Sequence, residues 1–249
     1  MILNYNEFGA GKTIVILHGL LGSLDNWVSL AKVLSKKFHV IIVDLPNHGK
    51  SHHTDRFSYE SMAKEVSFLL KHKELCNINL IGHSMGGKVA MKYAELFSDN
   101  TSKLVIVDIA NRNYKSNKFT HIFDGISSLN LSDIKSRFDA DELIKSFVPN
   151  LGERNFLLKN LKREEETFKW SPNIHLLTSS LDKISSKINI KNKILTDTLF
   201  LKGEKSNYIN KADLMSDFLQ FNIIEIKNSG HWLHADNPKE FLKAVVDFI

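Results

Sequence analysis

The chain has a single cysteine, Cys76, and only four prolines in 249 residues. A lone thiol can form neither an internal disulfide nor a cysteine-based metal site, which points to a reducing, cytoplasmic setting. Cys76 itself reads as a small buried hydrophobe. Long apolar runs are missing as well. The longest, such as Ile14 to Leu17 or Val40 to Val43, fall far short of the ~20 residues a membrane span needs. The N-terminus carries no cationic stretch ahead of an apolar one, so it reads as the start of a strand rather than a signal peptide. Arginine is scarce: five of the 33 basic residues, Arg56, Arg112, Arg137, Arg154 and Arg163. The net charge of +5 is spread as a surplus of two, two and one over residues 1–110, 111–170 and 171–249. Without a basic block or stripe, a nucleic-acid partner is excluded, and a mild preference for anionic substrates or carriers is all that remains. With 43% apolar residues, the composition is that of one globular domain, or one domain carrying an insertion.

Short apolar runs recur at the lengths of buried strands: Thr13 to Leu17, Phe38 to Val43, Ile78 to Ile81, Lys103 to Val107, Thr198 to Leu201 and Ile223 to Ile226. Helical spacing separates several of them. Met62, Val66, Leu69 and Leu70 share one face of Ser61 to His72, and Met85, Val89, Tyr93 and Leu96 share one face of Met85 to Phe97. This alternation predicts an α/β fold, a mainly parallel sheet with helices on both sides. Asn237-Pro238-Lys239-Glu240 is the start of a last helix, with an N-cap, a first-turn proline and a carboxylate at the third position.

Residues 111–192 change character. Amphipathic spacing places Phe119, Ile122, Phe123 and Ile126 on one face, and Leu143, Ile144, Phe147 and Val148 on another, with Asp139 to Glu142 as a capping box for the second. We read a helical cap, 111–192, inserted into a core made of 1–110 and 193–249. Of the seven aromatics Phe119, Phe123, Phe138, Phe147, Phe156, Phe168 and Trp170, two or three are expected to face a pocket and the rest to fill the cap core.

The sharpest chemical signal is Gly82-His83-Ser84-Met85-Gly86-Gly87, directly after a strand and directly before a helix. That is the context of a G-x-S-x-G nucleophile elbow, in which a strained turn lifts the serine hydroxyl above the sheet and a helix N-terminus faces developing negative charge. The base is expected near the C-terminus. Asn228-Ser229-Gly230-His231 follows the last strand, so His231 is the candidate, ahead of His234 in the next turn. The acid has two candidates: Asp108, ending an otherwise apolar strand, and Glu204, on a loop where Ser206 stands at the position many such enzymes give to aspartate. The oxyanion would be held by the N–H groups of Met85 and of Leu20, in the loop His18-Gly19-Leu20-Leu21-Gly22-Ser23. His18 reads as structural, holding that loop, and Asp44 to Ser51 as turn chemistry shaping the pocket floor. His52 and His53, adjacent and without a carboxylate cluster, read as loop residues rather than metal ligands.

Together, His-Gly-Leu-Leu-Gly-Ser-Leu-Asp-Asn (18–26), Asp44 to Ser51, Gly-His-Ser-Met-Gly-Gly-Lys (82–88), Val-Asp-Ile-Ala (107–110) and Gly-His-Trp-Leu-His-Ala-Asp-Asn-Pro (230–238) resemble the α/β-hydrolase family, and more narrowly the bacterial YbfF-type esterases. The likeness extends to Phe156-Leu-Leu-Lys159 and Trp170 and is weakest over 111–150. It implies an acid after the sixth strand, which falls on Asp108, no metal or organic cofactor, and a small-molecule acyl ester or thioester substrate of short to medium chain. Asn111-Arg112 departs from the proline usual in relatives, at the expected hinge of the cap. Two other readings use the same residues: a serine-triad enzyme acting on a non-ester bond, such as a C–C hydrolase or lyase, and a non-catalytic binding protein on the same fold.

Overall fold

A computed structural model describes residues 1–249. Seven strands form one sheet. The first five are β1 (Tyr5–Phe8), β2 (Thr13–Leu17), β3 (His39–Val43), β4 (Ile78–His83) and β5 (Thr101–Val107). A separate two-stranded hairpin, β6 (Leu161–Glu164) and β7 (Thr167–Trp170), precedes the last two, β8 (Asp197–Gly203) and β9 (Phe221–Ile226). The sheet order is β1-β3-β2-β4-β5-β8-β9, antiparallel at β1 and parallel in every other pairing. Alternation along a strand shows that both faces are covered. On β2, Val15 and Leu17 enter one apolar cluster while Ile14 and Ile16 enter the other. The first face carries α2 (Tyr59–His72) and α3 (Met85–Leu96) through Met62, Val66, Val89 and Tyr93. The opposite face carries α1 (Val28–Leu34) and, near the C-terminus, the short α9 (Leu233–Asp236) and α10 (Pro238–Phe248), through Leu30, Leu34, Leu233, Phe241 and Val245. Pro238 takes the first turn of α10, whose N-cap Asn237 accepts from the Glu240 N–H at 3.3 Å, as its sequence implies.

Between β5 and β8 the chain forms α4 (Thr120–Ser127), α5 (Arg137–Ile144), α6 (Leu151–Leu158), the β6/β7 hairpin, α7 (Ile174–Ser179) and α8 (Leu181–Ser185). The hairpin was not expected, since Glu164-Glu165-Glu166 carries no turn signal. Glu165 nevertheless holds φ 54°, a conformation usually left to glycine or asparagine. The capping box of α5 also lies earlier than expected: Ser136 is the N-cap, its hydroxyl accepting from the Asp139 N–H at 3.2 Å, and Asp139 is the third helical residue. Ile144 and Val148 are buried there, whereas Leu143 and Phe147 face outward. Phe138 is 72% exposed and so fills no core. Cys76 is exposed as well, because it lies in the turn between α2 and β4 rather than in the strand.

The two ends of this segment are stitched to each other and to α3. The Asn111 amide donates to Ile188 O at 3.0 Å and accepts from Ile188 N at 2.8 Å, and Tyr114 N donates to Ser185 O at 2.8 Å. Lys88 on α3, 1% exposed, reaches the same place, donating to Ser186 O at 2.6 Å and Ile184 O at 3.3 Å. Asparagine thus serves at 111 as a cross-link between the two connections, a role proline cannot fill.

Candidate active site

Because β2, β4, β5, β8 and β9 run parallel, their C-terminal ends lie along one edge of the sheet, the edge where open α/β sheets bind ligands. Ser84 follows β4 in the strained backbone of an elbow, φ 51° and ψ −117°, and α3 begins at the next residue. Glycine is required on both sides by close approach. A Cβ at Gly82 would lie 2.3 Å from Gly86 O, and one at Gly86 would lie 2.4 Å from His18 O. The strain is held by packing: Ser84 N donates to Val107 O at 3.0 Å, tying the elbow to β5.

His231 sits on the loop after β9. Its Nε2 is 3.0 Å from Ser84 Oγ and its Nδ1 is 2.8 Å from Asp108 Oδ2. Asp108 directly follows β5, is fully buried and has φ 50°. That strand is fifth in chain order, one fewer than the resemblance implies. The carboxylate is satisfied on both oxygens: Gly203 N donates to Oδ1 at 3.1 Å and Ser206 Oγ to Oδ2 at 2.5 Å. Glu204 is elsewhere, accepting from Asn228 N at 2.7 Å, an exposed bond away from His231. His234 also turns away. It stacks on Trp27 with ring centroids 4.3 Å apart, buried beneath the site.

Leu20 and Ser84 border the same cavity, and a Cβ at Gly19 would lie 3.3 Å from Ser84 Cβ, so the loop after β2 abuts the serine. The Leu20 N–H donates to no protein acceptor, and Met85, as first residue of α3, has no intrahelical acceptor for its own. The cavity, about 300 Å³, is lined mainly by apolar side chains, among them Leu20, Phe119, Ile122, Phe156, Leu157 and Trp232. Phe119 and Phe156 are the two aromatics of the 111–192 segment that face it. Asp44 to Ser51 does not line this cavity, so its expected place on the pocket floor is corrected: it lies one layer behind the loop after β2. His52 contacts Glu65 at 2.9 Å and His53 contacts Ser171 O at 3.1 Å.

Two contributors were not singled out in the sequence. Tyr208 stacks on His231 with centroids 4.0 Å apart and an interplanar angle of 20°. His83 Nε2 lies 2.9 Å from His231 O, holding the backbone of His231. Ser206 carried a signal, since it stands where an acid is usual. In this chain it donates to Asp108 instead.

Several rings at the site are buried and neutral. Burial pushes His18 down to about 4, His234 to about 3, and His48, with the nearby His18 adding to the effect, to about 3. The unfolded chain takes up these protons near 6.5 while the folded protein refuses them. Stability is therefore complete above about pH 6.5 and is lost as pH falls from there toward the folded values, by roughly 1 kcal/mol per pH unit for each ring. We expect the thermal midpoint to drop steeply between about pH 6.5 and about pH 5, followed by far-UV circular dichroism, and His48→Gln to flatten that slope. A midpoint independent of pH across this window would contradict the assignment of neutral buried rings.

The model of the alpha/beta hydrolase fold family matches residues 12–238. Esterase YbfF of Escherichia coli is 34% identical, covering 93% of this chain and 91% of that protein. The mouse sn-1-specific diacylglycerol lipase ABHD11 is 36% identical, covering 99% of this chain and 85% of its own. A solved marine microorganism esterase superposes with a TM-score of 0.96 at 37% identity, over 100% of this chain and 99% of that one. In sequence and in architecture, then, the chain belongs to the alpha/beta hydrolase fold family.

Proposed function

We propose that the protein is a serine carboxylic ester hydrolase, with residues 1–110 and 193–249 as the hydrolase core and 111–192 as a cap over its site. The observation that carries the reading is the continuous chain from Ser84 Oγ through His231 to Asp108, at 3.0 and 2.8 Å, beside an apolar cavity. Ser84 attacks the acyl carbonyl and passes its proton to His231 Nε2. Asp108 holds the His231 tautomer and stabilises the imidazolium, while the Leu20 and Met85 N–H groups take the oxyanion. His231 then protonates the leaving alkoxide or thiolate, and water, deprotonated by the same ring, releases the acid from the acyl-enzyme. The relatives named as esterases and as a diacylglycerol lipase support ester substrates.

A cavity of about 300 Å³ holds about ten groups of water size, which supports short to medium acyl chains, as oxygen esters or as thioesters of an acyl carrier. The substrate is a small molecule and the reaction uses no cofactor. A cytoplasmic location accompanies this reading, supported by the unpaired thiol of Cys76.

A panel of p-nitrophenyl esters and acyl-CoAs of graded length tests the substrate class. We expect kcat/KM to peak at about four to eight carbons and to fall on either side. A fluorophosphonate should label the protein at Ser84. Failure to label, or hydrolysis of no ester or thioester in the panel, would overturn the function.

A further inference from the structure

Gly22 N donates to Gly19 O at 3.0 Å, closing a tight turn with Leu20 and Leu21 in its middle. Leu21, 3% exposed, holds φ 54°. A positive φ at the third position of a turn is normally given to glycine or asparagine, and turns of this kind differ from their commoner counterparts by a flip of the middle peptide. A leucine there has no intrinsic preference for the flipped state and pays about 1 kcal/mol or more to occupy it. Something outside the turn has to hold it.

Two buried side chains do so, one on each peptide flanking the Leu21 Cα. Leu21 N donates to His48 Nε2 at 3.3 Å. Leu21 O accepts from Asn160 Nδ2 at 2.6 Å. Each holder is itself anchored. His48 Nδ1 bonds Pro46 O at 3.0 Å, which places the ring proton on Nδ1 and leaves Nε2 as an acceptor. Asn160, 5% exposed, lies between α6 and β6, with its N–H on Leu157 O at 3.0 Å and its C=O accepting from Ser171 N at 2.9 Å. Three and four residues before Asn160, Leu157 and Phe156 line the cavity.

We infer that His48 and Asn160 are positioning residues for the oxyanion hole: they pin the two peptides around Leu21 and so aim the Leu20 N–H at the carbonyl above Ser84. The inference rests on the ester-hydrolase reading given above. It makes the hole a joint product of the core, through His48, and of the cap, through Asn160. The cap therefore takes part in transition-state stabilisation without touching the reacting atoms.

The test compares His48→Leu, Asn160→Leu, the two combined, and His48→Gln, whose side-chain oxygen can replace the Nε2 acceptor. Activity on p-nitrophenyl butyrate is expressed per Ser84 titrated to completion with a fluorophosphonate, so molecules that fail to fold are not counted. A trifluoromethyl ketone, which forms a reversible tetrahedral adduct with the serine, reports oxyanion binding directly. Each leucine variant should lose about 10- to 100-fold in kcat, with KM within about threefold and the ketone Ki raised by the same factor as kcat falls. The double variant should lose less than the product of the single losses, because both act on one turn. His48→Gln should retain most of the activity. Wild-type kcat per titrated site in either leucine variant, a loss in kcat with an unchanged Ki, or multiplicative losses in the double variant would overturn the inference while leaving the hydrolase reading intact. A wild-type protein that is neither titrated nor inhibited would overturn both.

Discussion

Ser84→Ala is expected to lower kcat on a p-nitrophenyl ester by about 10⁶-fold while the fold and the cavity persist. The size of the effect follows from the chemistry. Without the hydroxyl no acyl-enzyme forms, His231 has no proton to take, and the residual rate is that of water attack in a site that still offers oxyanion donors. The fold should not suffer. Alanine faces the same strained φ of 51° as serine does, and the elbow is held by Ser84 N on Val107 O and by packing at Gly82 and Gly86, none of which involves the hydroxyl. Ester turnover within about tenfold of wild type would remove Ser84 from the mechanism, since loss of a working nucleophile costs far more than that.

The second large effect separates the two acid candidates. Asp108→Asn should reduce kcat by about 10⁴-fold, whereas Glu204→Gln should change it less than about twofold. Gly203 N donates to Oδ1 of Asp108, so in the variant the amide oxygen takes that place and the NH₂ group faces His231 Nδ1. A donor at that point turns the imidazole to the tautomer with its proton on Nε2, which cannot accept the Ser84 proton. The opposite amide orientation would bury an N–H of Gly203 against another donor, at a cost of about 1–3 kcal/mol. Ser206 adapts to either, since a hydroxyl both donates and accepts. If Glu204→Gln were the damaging change, the acid would belong to the loop after β8.

The sheet and the helices that cover it were legible because their signals are local: apolar runs of strand length, one-sided helical spacing, and Asn237-Pro238 opening the last helix. The placing of Ser84 and His231 on one edge was legible for a related reason, since in a parallel sheet the end of every strand reaches the same side. Choosing between Asp108 and Glu204 needed three dimensions, because both follow strands whose ends lie on that edge. Other features had no local signal at all. The β6/β7 hairpin turns at Glu165, a residue that ordinarily avoids a positive φ. Asn160 acts on Leu21 across 139 residues of chain, and Tyr208 reaches His231 only through the fold. Cys76 misled because a free cysteine is usually a small buried hydrophobe, whereas this one lies in the connection before β4 and is exposed.

The stitching of Asn111 to Ile188 and of Lys88 to the carbonyls of Ile184 and Ser186 also limits how this scaffold can be recombined. A segment borrowed from a relative to alter selectivity can differ freely in its interior, but its return path has to bring backbone carbonyls to the same ammonium. A donor that returns along another line would leave a buried amine, already pushed down to about 7 by burial, without acceptors on the helix that follows Ser84, a defect worth about 1–3 kcal/mol. Chimaera joints therefore belong outside the Asn111–Ile188 pair, before Asn111 and after Ile188, so that both halves of that stitch come from one parent while Lys88 stays with the host. The lysine four residues after Ser84 thus acts as a compatibility check on any segment grafted above it.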